Sequence, residues 1–176
     1  MTITLFWVGF FIFFILIFGS LALGGILAAP WVPLWKKDVK RMLKLAEIKP
    51  GDLVYDLGAG EGRIIMSAAK DYGATAVGFE IACLPYLIGY IRIKISGLGK
   101  TVKLKMRNFF NEDLSRPDVI CMFLTPMAME RLKPKLEKET KPGCKILSYA
   151  FKIPGWQPEK IDKSNDRETS IFLYRR

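Results

Sequence analysis

The sequence predicts an α/β domain, a doubly wound and largely parallel sheet, preceded by one N-terminal helix that crosses a membrane. Three observations predict it. Not one Asp, Glu, Lys or Arg occurs before Lys36, and the uncharged run is long enough to span a bilayer. Beyond it, short apolar runs alternate with stretches of helical periodicity. A glycine-rich turn, Gly58-Ala59-Gly60-Glu61-Gly62, stands where the first apolar run passes into a helix, the end of an open sheet that binds ligands.

The N-terminal segment, residues 1–29, reads as the anchor. From Ile3 to Ala29 it exceeds the ~20 apolar residues that a spanning helix needs. A cleaved signal would want a basic start and an apolar core of roughly 7–15 residues, and this segment has neither. Lys36, Lys37, Lys40, Arg41 and Lys44 crowd its C-terminal flank, which places the following domain on the cytoplasmic side, or the matrix side in a mitochondrion. Trp7 at one end and Trp31 and Trp35 at the other suit the two interfaces. The spacings Ser20/Gly24 and Gly25/Ala29 permit close helix packing, and oligomeric state is left open.

Composition narrows the chemistry. The chain has 176 residues, 27 Lys+Arg against 17 Asp+Glu, three Cys and no His, a length that suits one domain with an appendage. Without His there is no imidazole acid or base, no Ser-His or Cys-His nucleophile and no His-ligated metal. Cys83, Cys121 and Cys144 lie far apart with no C-x-x-C, so no metal site or disulfide framework is expected. The net charge of +10 lies wholly after Trp35. Its juxtamembrane cluster favours anionic lipid as the partner, and no arginine-rich or aromatic-interleaved strip argues for nucleic acid.

The elements follow in order. Residues 30–49 form a juxtamembrane linker and an amphipathic helix, Lys36 to Glu47, with Val39, Met42, Leu43 and Ala46 inward. Lys49-Pro50-Gly51-Asp52 breaks it and opens the globular domain, residues 50–176. Strands are expected at Leu53–Leu57, Thr75–Glu80, Val102–Arg107, Asp118–Leu124, Lys145–Phe151 and Thr169–Arg175, the last alternating Ser170/Phe172/Tyr174 with Ile171/Leu173. Helices are expected at Arg63–Asp71, Leu84–Ser96 and Ala128–Glu139. The polar stretch Gly155–Arg167 is left between loop and partial strand.

The glycine turn is the informative site. A nicotinamide-type turn, G-x-G-x-x-G/A, fails because Arg63 stands three after Gly60. A phosphate loop fails at Gly99-Lys100-Thr101, because Lys94 occupies its first glycine position. D-x-G-x-G-x-G with an acid closing the second strand fits S-adenosylmethionine instead. That cofactor carries no phosphate; its amino-acid end can lie over Gly58, Ala59, Gly60 and Gly62 beside Asp56. Glu80, 24 positions after Asp56, suits the ribose hydroxyls. Asn108 and Phe109, after the third strand, are candidates for the adenine.

With these residues in view, Tyr55-Asp56-Leu57-Gly58-Ala59-Gly60-Glu61-Gly62-Arg63 resembles motif I of seven-strand methyltransferases. The wider pattern is similar to the membrane-anchored lysine methyltransferases that modify the ATP synthase c-subunit and the adenine nucleotide translocator, and to their prokaryotic relatives. It rests on Pro30-Trp31-Val32-Pro33 after the membrane helix, Phe123-Leu124-Thr125-Pro126 leading into Leu132-Lys133-Pro134-Lys135-Leu136, and Lys141-Pro142-Gly143 followed by Phe151-Lys152-Ile153-Pro154-Gly155-Trp156. Ala59, Glu61 and Ala82 depart from the usual Ser, Asp and Asn. The resemblance implies a Rossmann-like, seven-stranded sheet and methyl transfer from S-adenosylmethionine to a lysine of a membrane-associated protein. Trp35, Thr125, Pro126 and Trp156 are candidates for the substrate channel, and Glu61 is a turn residue before it is a base. A methyltransferase acting on a lipid or small hydrophobic molecule, and a cofactor-binding assembly protein without turnover, are the alternatives.

Overall fold

The computed structural model describes residues 2–163, 165 and 168–176. The apolar runs become a seven-stranded sheet of β1 (Leu53–Leu57), β2 (Thr75–Glu80), β3 (Val102–Met106), β4 (Val119–Met122), β5 (Lys145–Tyr149), β6 (Lys160–Asp162) and β7 (Ile171–Arg175). The strand order is β3-β2-β1-β4-β5-β7-β6. The first five strands are parallel, and β7 runs antiparallel between β5 and β6. The sheet therefore reverses direction of growth between β1 and β4, and the glycine turn leaves β1 at that crevice.

The helices are α1 (Thr2–Leu27), α2 (Lys36–Leu45), α3 (Arg63–Tyr72), α4 (Cys83–Ile95) and α5 (Pro126–Glu139). One face of the sheet packs Val54, Ala76, Val119 and Leu147 against Met42 and Leu43 of α2, Ile65 and Ala68 of α3 and Ile93 of α4. The other packs Leu57, Phe79, Ile120 and Met122 against Met129, Leu132 and Leu136 of α5. Alternate residues of each strand thus serve opposite cores, as expected where both faces are covered.

Two expectations are sharpened and one changes. The stretch Gly155–Arg167 supplies the short edge strand β6, which completes the seven that the resemblance implied. Residues 164, 166 and 167 of that stretch lie outside the described residues. The last strand shows no exposed side: Ile171, Phe172, Leu173 and Tyr174 are all buried, because β7 is interior, flanked by β5 and β6. Arg41 is no lipid-facing charge. Its guanidinium holds Asp38 at 3.0 Å, Asp162 at 3.1 Å and Glu168 at 3.5 Å, and the Tyr149 hydroxyl donates to Asp38 at 3.1 Å. This partly buried network pins α2 to the edge of the sheet; such groups are tolerated because they satisfy one another.

Helix α1 is bolted to the domain. Residues 3–16 are exposed on every side, but from Ile17 one stripe, Ile17, Ser20, Leu21, Gly24 and Ala28, turns inward. Ser20 Oγ accepts from Cys83 N at 3.0 Å. A Cβ on Gly24 would stand 3.6 Å from both Ala82 Cβ and Ile81 Cγ2. The Ser20/Gly24 spacing thus packs against the start of this chain's own α4. Past α1, the carbonyl of Ala28 accepts from Thr125 N at 3.1 Å and Thr125 Oγ1 at 2.8 Å, and Arg63 donates to Leu34 O at 2.8 Å. Residues 28–35 so form a strap across the carboxyl ends of β1 and β4.

Candidate cofactor-binding site

Strand β1 ends on Asp56-Leu57, and the chain then turns through left-handed glycines, with φ of 83° at Gly58, 54° at Gly60 and 80° at Gly62. Side-chain-bearing residues rarely adopt these values, so the glycines are what let the backbone fold over itself here. The turn is stitched to β2: Gly58 N and Ala59 N donate to Phe79 O at 3.0 and 2.9 Å. Gly60 N donates to Glu80 Oε2 at 2.7 Å, while Glu80 Oε1 accepts from Ile81 N at 2.8 Å and Ala82 N at 2.7 Å. Gly62 N donates to Ala59 O at 2.8 Å.

This pattern decides against phosphate. The N–H groups of Gly58, Ala59, Gly60 and Gly62 all have acceptors within the chain, so the turn presents no row of free donors to an anion. What it presents is bare main chain and two buried carboxyl groups, Asp56 and Glu80. Burial, and secondarily the neighbouring Glu80 charge, push the Asp56 carboxyl up to about 8. No ion pair reaches it among the described residues. A ligand bringing a positive group beside Asp56 would convert it to the carboxylate and relieve that penalty. Glu80 keeps lone pairs beyond its three backbone donors, enough to accept from hydroxyls.

The strap closes the cleft. A Cβ on Gly60 would lie 3.2 Å from Trp31 Cδ1 and Nε1, so the indole rests against the turn. Trp31 Nε1 is buried and finds no acceptor among the described residues, a donor free to serve a ligand. Across the cleft, Asn108 Oδ1 accepts from Phe110 N at 3.0 Å and so caps a short turn, and Phe109 is buried 4.6 Å from the Phe110 ring centroid. Asp56, Gly58, Ala59, Gly60, Glu80, Asn108 and Phe109 line one cleft, together with the strap. Gly62 stands behind it as the first cap of α3.

The four channel candidates are not gathered there. Trp35 is 73% exposed at the start of α2. The Trp156 ring stands edge-on to Tyr174 at 5.7 Å, and its Nε1 donates to Glu137 at 3.0 Å. Thr125 holds Ala28 and caps α5, and Pro126 opens that helix. The residues of this region that do line the cleft are Phe123 and Leu124. Glu61 is clamped by Arg63 and, at 2.9 Å, by Arg92.

Two residues of the site give little sign of their role in the sequence. Trp31 looks like an interfacial anchor, although its place between Pro30 and Pro33, at the end of the apolar helix, marks a stiff segment. Gly78 looks like an ordinary strand residue, yet a Cβ there would stand 2.6 Å from Ala59 Cβ and 2.8 Å from Ile65 Cδ1. Its bareness lets β2 approach the turn.

A seven-stranded sheet of this order, with its one reversed interior strand and a phosphate-free nucleoside cleft, is the fold of S-adenosylmethionine-dependent methyltransferases. Comparison with known proteins takes the assignment further. Residues 56–160 match the ANTKMT methyltransferase domain, and the chain belongs to that family. It is 42% identical over 148 residues to a protein-lysine N-methyltransferase of Saccharolobus islandicus, covering 82% of this chain and 92% of that one. It is 31% identical over 134 residues to the human lysine N-methyltransferase of the ATP synthase c-subunit, covering 75% of this chain but only 56% of the human protein, little more than half its length. Among solved structures, an RNA methyltransferase from Salinibacter ruber with S-adenosyl-L-homocysteine superposes with a TM-score of 0.78 at 30% identity, over 82% of this chain and 93% of that one. A Geobacter sulfurreducens methyltransferase with the same ligand shares the fold at a TM-score of 0.58 and 20% identity, over 66% of this chain and 49% of that one. The cleft fits the cofactor on its own geometry: glycines where side chains would intrude, an unpaired buried carboxyl and an orphaned indole donor.

Proposed function

We propose that this chain methylates a lysine of a protein held at a membrane, with α1 as its anchor and the globular domain on the cytoplasmic side, or the matrix side in a mitochondrion. The observation that carries the cofactor site is the clasp of Glu80 on the Gly60 amide, which joins the second acid to the glycine turn as one unit. In this reading Asp56 takes the amino group of the cofactor, Gly58, Ala59 and Gly60 supply its bed with Gly62 turning the chain into α3 behind them, Glu80 takes the ribose, and Asn108 and Phe109 flank the adenine.

When bound, S-adenosylmethionine supplies a methyl group already activated by the sulfonium charge. The chain's task is alignment and exclusion of water, an effect worth roughly 7–11 kcal/mol when reactants are held in place. A lysine amine is protonated at its ordinary pKa of about 10.4 and must arrive neutral. Trp31, Val32, Phe123 and Leu124 give the cleft an apolar wall, and desolvation against it disfavours the ammonium. Glu61, held by two arginines, contributes to the turn, and the proton leaves to solvent.

The relatives and α1 point to the acceptor. The relatives are lysine methyltransferases, named for protein lysine, for the ATP synthase c-subunit and for adenine nucleotide translocase. Helix α1 has the length and hydropathy of a membrane span, with only 6% of its most apolar window buried. The Salinibacter relative makes RNA the rival acceptor. Incubating the full chain in vesicles with methyl-labelled cofactor, membrane-fraction proteins, total RNA and lipid distinguishes them. Label is expected on lysine in the protein fraction; label confined to RNA or to the organic extract overturns the proposal.

A further inference from the structure

We propose that the outer face of α4 is a second membrane contact, lying in the headgroup and acyl boundary beside α1. This rests on the membrane anchor proposed above and goes beyond it.

The outward faces of the helices differ in kind. On α2 the exposed positions are Lys36, Lys37, Lys40 and Lys44, and on α3 they are Lys70 and Asp71, as water requires. On α4 they are Leu87, Tyr90, Ile91, Lys94 and Ile95, at helical spacing on one side. The four apolar and aromatic ones are 43–82% exposed. The inward side is apolar as well, with Pro85, Gly89 and Ile93 buried. A helix apolar on both sides calls for a partner on both sides.

The register of α1 names that partner. A span needs about 20 residues at ~1.5 Å each to cross a hydrocarbon core of ~30 Å. Counted from Ile3, those residues run past Ser20, yet Ser20 already accepts from Cys83 N at 3.0 Å and Gly24 packs on Ile81 and Ala82. The stretch free of the domain, residues 3–16, reaches only about 21 Å. If α1 fills the bilayer, the beginning of α4 is carried down to its edge, and the helix has to meet lipid with what it exposes. Its polar groups suit that depth. Lys94 Nζ lies 5.5 Å over the Tyr90 ring, a lysine and a tyrosine whose apolar bodies cover the face and whose polar ends reach water. Such a helix binds by buried apolar area with its cations toward anionic lipid.

The test places a bimane label at one introduced cysteine at a time, Leu87→Cys, Ile91→Cys or Ile95→Cys, in the full chain carrying Cys83→Ser, where the native Cys121 and Cys144 are buried away from the label. Phe14→Cys marks the span and Lys70→Cys marks the water-facing side. The chains are reconstituted in vesicles of phosphatidylcholine and phosphatidylglycerol containing nitroxide-bearing lipids, and cofactor binding verifies the fold of each. Labels at 87, 91 and 95 are expected to be quenched about threefold or more above the label at 70, best by nitroxides near the headgroup, as for an interfacial helix. The label at 14 is quenched best by deep nitroxides. Labels at 87, 91 and 95 that behave like the one at 70 overturn the α4 contact; if 14 is still quenched, the anchor stands without it, and if 14 is not quenched, the anchor falls too. Shielding from lipid with pyrene excimers between chains labelled at 91 would assign the face to a second copy, and also overturns it.

Discussion

Glu80 holds the glycine turn shut, its Oε2 accepting from Gly60 N at 2.7 Å while Oε1 serves Ile81 N and Ala82 N. Removing the carboxylate strands three donors, and a buried donor without a partner costs about 1–3 kcal/mol. Glu80→Ala should lower the melting temperature and abolish the further rise that S-adenosylhomocysteine gives. Glu80→Gln keeps one accepting oxygen and should retain most of the unliganded melt while binding the ligand about tenfold more weakly, a loss of one charge-assisted bond. Thermal melts with and without ligand check both, and an unaltered Glu80→Ala melt contradicts the clasp.

Gly78 is a spacing residue for the same turn. Gly78→Ala drives a methyl into Ala59 Cβ at 2.6 Å and Ile65 Cδ1 at 2.8 Å. Overpacking of this kind costs about 1–3 kcal/mol, and here the strain falls on the cofactor bed. Denaturant unfolding and ligand titration should both show the loss. Gly99→Ala, with nothing within 4 Å of its new methyl, should show neither.

The Asp56 carboxyl makes ligand binding depend on pH. Its folded value is raised to about 8 from 3.8. Between those values the native chain holds a proton that the unfolded chain has lost, so Asp56 reduces stability as pH rises from about 4 to about 8. A cationic amino group beside it favours the carboxylate, so binding expels the proton and affinity rises toward pH 8, then levels. Calorimetry at pH 6 in buffers of different ionisation enthalpy should detect release approaching about one proton per chain. Asp56→Asn should abolish that release; a pH-independent affinity in the parent chain would remove Asp56 from the site.

Trp31 Nε1 offers a separation of roles. The donor has no partner among the described residues, so Trp31→Phe should leave the melt without ligand unchanged or slightly higher. Weaker S-adenosylhomocysteine binding in the variant would show that the indole donates to the cofactor. An intact ligand titration with a raised KM for the methyl acceptor would show that it faces the acceptor.

The Asp38–Arg41 network is far from the cleft in function. Asp38→Ala takes one of three carboxylates from Arg41, which keeps Asp162 and Glu168, and removes the acceptor of the buried Tyr149 hydroxyl, a loss of about 1–3 kcal/mol. Urea unfolding should show that loss, with cofactor affinity unchanged in the folded fraction.

Local pattern carried the parallel strands and their helices. Leu53–Leu57 and Thr75–Glu80 stand where apolar runs bounded by turn residues put them, and the spacing from Asp56 to Glu80 placed both acids at one crevice. What lay beyond pattern was produced by long-range pairing. Strand β6 has no apolar run of its own and exists because Lys160 and Asp162 find Leu173 and Ile171 on β7. Asn108 is an adenine candidate by position, yet its oxygen is engaged by Phe110 N, a local competition that composition does not reveal. Trp31 could be assigned to the turn only once the strap's path was known, since an indole beside a membrane helix has an equally good place at the interface.

The Ala28 carbonyl, gripped twice by Thr125, removes the slack from the link between helix and enzyme. A floppy leash would let the catalytic head sweep a hemisphere and sample any lysine within its radius. Here the strap and the contacts of Ser20 and Gly24 tie the mouth of the cleft closely to the end of α1. For the membrane-held lysine proposed as acceptor, selectivity then becomes partly a matter of altitude: a lysine stationed at the matching height is served, and a chemically identical one a few residues higher is passed over.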